Sequence, residues 1–373
     1  MPPPVRGVEG RIYSPAFVAK LIYDKFVLHL PVYRQVKAMA DSGLKLPRNV
    51  INELILTSFK ILLPLIDRML LLNRQQADQA CDESTVTTVI DNKKQKQYLW
   101  CLVSVLAVTF KITATRTKDI ARDIIGGTTP GTLTSDRLSI YWGLFDTKQE
   151  VGCMAHLRRK FWYCLANFPV ESITVLRIIG RLYKIERLYR DASAQERLHS
   201  RKLLSHPILT ELYQYLHSLN PPPQSALGKA ISYAVNHKKA LCYFVENGQV
   251  RIDNNHVEGQ FRPAKLGFKN FLFTQSTLGT EAVAGMYSLI ATCVLHGVSP
   301  LHYLADVLAR LNSGHPQSRL DELLPWNWQP INNKTAAPRP VEIKRKDHAA
   351  TDILPRTRLI QKKAELERSQ YVH

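Results

Sequence analysis

Arg251-Ile252-Asp253-Asn254-Asn255-His256-Val257-Glu258-Gly259-Gln260-Phe261-Arg262-Pro263 is the stretch on which the fold turns. Its polar start and apolar continuation predict a helix N-terminus. Asp253 suits the cap, because a short acidic side chain accepts hydrogen bonds from the unpaired N–H groups of a first turn. Glu258 then falls more than one turn into the helix, with Arg262 at i+4 on the same face. A cleft-facing carboxylate beside a basic residue can hold a divalent cation against phosphate oxygens.

Working outward, the chain has 373 residues, 45% hydrophobic and 22% charged, enough for two or three structural units with a sizeable core. The formal net charge of +19 favours a polyanionic partner, nucleic acid before membrane. The six cysteines include no C-x-x-C pair, which argues against a zinc ribbon or a disulfide framework. Met1-Pro2-Pro3-Pro4-Val5-Arg6 does not read as a signal peptide. Lys60, Pro64, Asp67 and Arg68 interrupt the apolar run Leu54 to Leu72, so it reads as a buried amphipathic helix and not a membrane span.

Residues 1–75 form an N-terminal helical region. Ser14-Pro15 starts its first helix, Leu30-Pro31 its second, and Leu46-Pro47 its third, after a break at Ser42-Gly43. This is the outline of a helix-turn-helix with Arg48 and Asn49 at its front, or of a plain helical hairpin packed on the core.

From 76 to 168 the pattern changes. A β-branched run from Ala80 to Ile90 is followed by a polar turn and two apolar runs, Tyr98–Val105 and Ala107–Thr113, giving an antiparallel meander. A helix at Lys118–Ile125, a strand at Thr132–Asp136 and a fifth strand at Glu150–Ala155 come next. Three antiparallel strands, then helix, strand, helix, strand, predict an α/β fold with a ribonuclease H-like core.

A helical insertion at 169–248 precedes the Glu258 helix. Val175, Ile178, Leu182, Ile185 and Tyr189 form its apolar stripe, and Arg177, Arg181 and Lys184 another face. The second part of the core, with the third acid and C-terminal helices, occupies 249–330. The basic stretch 331–373 reads as a disordered tail with a marginal helix near Leu359–Ser369.

Phosphodiester cleavage needs an activated nucleophile and a stabilised leaving oxygen, and two Mg²⁺ or Mn²⁺ ions supply both. Three carboxylates from different elements suffice to hold such a pair. Asp82 on the first strand, Asp136 at the end of the fourth and Glu258 on its helix are the candidates. Alternation puts Glu83 on the opposite strand face from Asp82, in a structural role. Asp253 is a minor alternative for the third ligand.

Several blocks resemble one family, the IS66 group of bacterial insertion-sequence transposases. They are Asp253-Asn254-Asn255-x-x-Glu258-x-x-Phe261-Arg262-Pro263, Gly267-x-Lys269-Asn270-Phe271-Leu272-Phe273, Tyr287-Ser288-Leu289-Ile290 and His296-Gly297-Val298-x-Pro300. Leu323-Leu324-Pro325-Trp326-Asn327-Trp328, Gly152-Cys153-Met154-Ala155-His156-x-Arg158-Arg159-Lys160-Phe161 and His29-Leu30-Pro31-Val32-Tyr33-Arg34-Gln35 agree as well. The resemblance implies a DDE-type DNA transposase that cleaves strands at insertion-sequence ends and joins them to target DNA. Asp82, Asp136 and Glu258 are then both catalytic and metal-binding, with two Mg²⁺ (or Mn²⁺) ions as cofactors.

The resemblance further implies double-stranded DNA as partner, at the element's ends and at the target, contacted by His156, Arg158, Arg159, Lys160, Arg262, Lys269 and Asn270. It implies a homo-oligomer on DNA, helper proteins of the same element, and a bacterial cytoplasmic, nucleoid-associated location without membrane contact. Three departures stand out: Gly259 where the family has Arg, Phe268 where it has Arg, and Thr85 where it has Pro. The family's N-terminal helical extension and cysteine-rich zinc module precede the point where this chain starts, the expectation being a shortened product. A catalytically impaired DNA-binding remnant and a structure-selective nuclease are the alternatives.

Overall fold

The computed structural model describes residues 13–330 apart from 91, 92, 137, 272, 273 and 275. The tail and its marginal helix lie outside the described residues. The chain divides into two compact units: 13–133, 138–149 and 255–330 make one, and 134–137 with Glu150–Asn254 make the other.

The first unit opens with three helices. In α1 (Pro15–Phe26) the Ser14 hydroxyl accepts from Phe17 N–H at 3.2 Å and proline occupies the first turn, as the Ser-Pro pair predicts. Next come α2 (Val32–Asp41) and the 27-residue α3 (Arg48–Arg74). Ile51, Leu54, Ile55, Phe59, Leu62, Leu65, Ile66 and Met69 of α3 are buried in the unit's main core. Its other face stays exposed, from Arg48 and Asn49 in the first turn through Lys60 and Asp67 to Leu71.

The meander follows as β1 (Asp78–Ile90), β2 (Lys93–Val103) and β3 (Val108–Thr113), antiparallel in register with Asp82 opposite Cys101 and Cys101 opposite Phe110. After α4 (Lys118–Ile125), β4 (Gly131–Ser135) and β5 (Lys148–Gly152) complete a five-stranded mixed sheet of order β3-β2-β1-β4-β5. Gly131 (φ 159) is forced by close approach, since a Cβ there would lie 2.2 Å from the Ala77 carbonyl oxygen.

Two helices of this unit matter most. The helix α11 (Asn255–Phe271) packs on β1 and β2, and α12 (Thr277–Leu295) on β3. Edge strand β3 has outward N–H and C=O groups that would invite another strand. Ser288 Oγ accepts from Phe110 N–H at 2.7 Å, and Thr292 Oγ1 accepts from Val108 N–H at 3.1 Å and donates to its carbonyl at 3.0 Å. Two hydroxyls one helical turn apart thus close the edge. Among the described residues α12 alone is long and apolar enough to cross a membrane, but 67% of it is buried in this core. The last helix, α13 (Pro300–Asn312), packs on α1. Trp328 fastens the following segment: its indole N–H donates to Asp306 at 2.7 Å and its ring meets Tyr303 edge-on.

The second unit is helical: α5 (Met154–Tyr163), α6 (Pro169–Leu188), α7 (Ala194–Ser200), a π-helical turn at Arg201–Ser205, α8 (His206–Ser218), α9 (Ala226–Asn236) and α10 (Lys238–Cys242). The predicted stripe Val175, Ile178, Leu182 and Ile185 is buried in its core. On the opposite face Arg181 is already paired with Glu211 at 2.6 Å, and Arg177 and Lys184 are exposed.

Candidate active site

Asp82 lies mid-strand on β1 and is 8% exposed. Its direct partner Cys101, and Ala80 and Val86 two and four residues away, belong to the cluster that contains Val257, Phe261, Ala264 and Phe268 of α11. Period-two alternation therefore points Asp82 to the sheet face that α11 covers. One carboxylate oxygen accepts the Glu83 N–H at 2.8 Å. Burial, with Cys81 and Asp82 adding negative charge nearby, holds the Cys101 thiol well above its ordinary range.

Glu83 points the other way, as alternation predicts. It accepts from Arg116 at 2.7 Å and from the Tyr141 hydroxyl at 2.5 Å, with only 2% of its side chain exposed. Burial first, then the neighbouring negative charges of Cys81 and Glu83, pushes the Tyr141 phenol well up, so it serves as a donor. Two adjacent acids thus have different fates: Glu83 is tied into the scaffold and Asp82 faces the α11 side.

Glu258 is half-buried on α11. The helix begins later than Asp253 suggests. Its first residue is Asn255, which moves the capping position to Asn254 and places Glu258 in the first turn, where the helix dipole favours a carboxylate. Asp253 is drawn away by the Tyr183 hydroxyl, which donates to it at 2.8 Å, an interaction local sequence cannot reveal.

At 100° per residue, Glu258, Arg262, Lys265 and Lys269 fall on one stripe flanking the buried one. The three cations are exposed, Lys265 lying 5.8 Å from the Phe261 ring centroid. The i, i+3, i+7 spacing from Arg262 could have revealed Lys265, which the motif alone passes over. Asn270 donates its amide to the His29 carbonyl at 3.0 Å and so buttresses a residue at φ 57.

The two family departures on α11 sit in different surroundings. A Cβ at Gly259 would meet nothing within 4 Å, so the position has room for a long side chain. Phe268 is buried against the core, 8% exposed, where a guanidinium would lack solvation.

The remaining predicted residues lie in the second unit. Asp136 directly follows β4 and is half-buried, its backbone carbonyl accepting the Tyr233 hydroxyl at 3.1 Å. The Lys160 ammonium lies 4.4 Å from the Tyr233 ring centroid, so one tyrosine links the segments bearing Asp136 and Lys160. Arg159 reaches the His156 ring at 3.4 Å. Arg158 is half-buried, and desolvation lowers its pKa.

Carboxylate oxygens are the hard donors that suit Mg²⁺. Asp82 faces the side of the sheet on which α11, the helix bearing Glu258, packs, but among the described residues no three His, Cys, Asp or Glu side chains are gathered as a metal-binding group. The donor chemistry fits a divalent ion, and an assembled three-ligand set is not what these residues present.

Comparison with known proteins adds the family. Residues 10–282 match the Transposase IS66 family and 288–326 the IS66 C-terminal element. An uncharacterized protein of Sinorhizobium fredii, y4jD, is 31% identical over 88% of this chain and 68% of its own length. Two more uncharacterized proteins of that organism, y4qI and y4hP, are 29% and 26% identical, again over 88% of this chain, with 65% and 64% of their lengths matched. The chain belongs to the IS66 transposase family. It corresponds to about two-thirds of each of these longer relatives.

Proposed function

We propose that this chain is the catalytic part of a DDE-type DNA transposase with a ribonuclease H-like core. Asp82, Asp136 and Glu258 are its catalytic carboxylates, and the ends of its own insertion sequence are its substrate. The observation that carries the reading is the placement of Asp82, a buried carboxylate on the sheet face covered by the helix that bears Glu258. Holding a carboxylate out of water is costly, and a divalent cation beside it would offset that cost. Family membership and the exposed cations of α11 support the same reading.

Asp82, Asp136 and Glu258 would hold a pair of Mg²⁺ or Mn²⁺ ions. Bound there, the ions would supply an activated hydroxyl nucleophile and charge stabilisation of the leaving oxygen. The protein's own contribution is positional. Arg262, Lys265 and Lys269 attract and track the phosphate backbone beside Glu258, while Arg116 and Tyr141 keep Glu83, and with it the strand bearing Asp82, in place. Arg159 and Lys160 are exposed and would meet further phosphates.

The test is strand cleavage and joining on DNA carrying the inverted repeats that flank this reading frame, with Mg²⁺ or Mn²⁺. Wild-type protein should release a 3′ hydroxyl and join it to target DNA, and Asp82→Asn and Glu258→Gln should do neither. Salt-sensitive DNA binding with no cleavage by the wild type would indicate a non-catalytic remnant. Cleavage of branched DNA irrespective of end sequence would indicate a structure-selective nuclease.

A further inference from the structure

A cavity of about 420 Å³ opens in the first unit among α1, α2, α3 and the described residues Asn270, Phe271, Thr274 and Ser276. That volume lies within the range of small-ligand sites. Its wall carries two cations, Lys25 and Arg48, and no carboxylate among the described residues.

Lys25 is half-buried in the last turn of α1, its ammonium 5.7 and 5.4 Å from the ring centroids of Phe26 and Phe271. Among the described residues it has no hydrogen-bond or ion-pair partner, and burial pushes its pKa down to about 8. A partly desolvated cation without a counter-ion is costly, and an incoming anion would relieve that cost.

Three helix N-termini line the same cavity: α2 through Val32 and Tyr33, α3 through Arg48, and α12 through Gly279. None has an acidic residue in its first turn, and Pro31 and Pro47 give α2 and α3 no side-chain cap. Their positive dipole ends add to the field of the two cations.

The remaining wall is aromatic and apolar. Tyr33 is 48% exposed, with the Arg34 and Arg48 guanidinium groups 5.6 and 6.0 Å from its ring centroid. A bare phosphate would leave this surface uncovered, whereas a nucleobase, which stacks on such rings whatever its identity, would cover it.

The geometry points to a subsite for one unstacked nucleotide of a DNA strand, its phosphate held by Lys25 and Arg48 and its base against Tyr33 and Phe271. The assignment rests on DNA being the substrate and is separate from the carboxylates. A base still stacked in a duplex has no free face, so the site discriminates for a frayed or single-stranded terminus.

Fluorescence anisotropy with the full chain tests it. One probe is a short blunt duplex, the other the same duplex with a 5′-phosphorylated single-stranded overhang. Stacking of one base alters affinity by about 1–3 kcal/mol, so the overhang should bind roughly tenfold tighter. That preference should vanish in Lys25→Met and in Tyr33→Ala, fall in Arg48→Gln and survive in Lys25→Arg, with wild-type thermal melting throughout. Deoxythymidine monophosphate should displace the overhang probe better than inorganic phosphate. Equal binding of the two duplexes by the wild type, a preference that survives Lys25→Met, or equal displacement by inorganic phosphate would each overturn the subsite. Failure of strand cleavage with the preference intact would count against the catalytic reading alone. Absence of the preference in the wild type with its cleavage intact would count against the subsite alone.

Discussion

Replacing Arg201 by leucine should unfasten the helical unit that leads into the Asp253–Glu258 segment. Arg201 is 1% exposed, and its guanidinium serves one carboxylate and three carbonyls. Nε and Nη2 grip the two oxygens of Glu186 at 2.7 and 2.6 Å, and Nη1 donates to the carbonyls of Phe244, Asn247 and Val250 at 3.0, 2.9 and 2.9 Å. The π-helical turn that carries Arg201 is thereby joined to α6 and to the loop that runs on to Asp253. Leucine fills much of the volume but strands a largely buried carboxylate and removes the donor of three carbonyls. Removing one partner of a buried pair typically costs about 3–5 kcal/mol.

The assay is native-state hydrogen exchange on the protected amides of α6, which report opening of this unit. Exchange should accelerate by roughly a hundredfold or more, since each 1.4 kcal/mol is a factor of ten. The double variant Arg201→Leu, Glu186→Leu should recover at least about 1 kcal/mol of the loss, because it removes the stranded charge. Acceleration of less than about fivefold in the single variant, or a double variant no better than the single, would show that the Arg201–Glu186 pair does not fasten this unit.

Three further outcomes follow from other parts of the molecule. Gly259→Ala should stabilise the protein by about 1 kcal/mol in urea unfolding, since the position lies inside α11 just past its first turn and a Cβ meets nothing there; destabilisation would show that α11 is not helical at Gly259. Burial pushes the Cys153 thiol up to about 12, so its alkylation by iodoacetamide in native protein should keep rising with pH well past 9, where an ordinary thiol levels off; a plateau near pH 9 would contradict its burial. Changing Arg262, Lys265 and Lys269 to glutamine should weaken DNA binding and flatten the log–log salt dependence by about 0.9 for each phosphate no longer neutralised, whereas an unchanged slope would remove this stripe from the interface.

The parts of the fold written in local sequence were legible. The Ser14-Pro15 start, the β-branched run of β1 and the Lys118–Ile125 helix depend on propensity and caps within a few residues, and the structure has them near their expected bounds. The opposite orientations of Asp82 and Glu83 follow from strand alternation alone.

What escaped was set by partners distant in the chain. Tyr183 captures Asp253, 70 residues away, and α11 starts one residue later than a cap at the aspartate would give. Arg201 is an arginine that composition would place on the surface, and only the convergence of Glu186 with three carbonyls explains its burial. Ser288 and Thr292 read as ordinary members of an apolar helix until β3 is seen beside them. Lys25 carries no motif, and its isolation is visible only once α1 and α11 bring Phe26 and Phe271 around it.

Buried Asp82 serves chemistry and not the fold. Purified Asp82→Asn should melt with the wild type and bind DNA carrying the element's ends with wild-type affinity, while strand cleavage in Mg²⁺ or Mn²⁺ falls below detection. Cleavage that persists in Asp82→Asn would remove Asp82 from the chemistry.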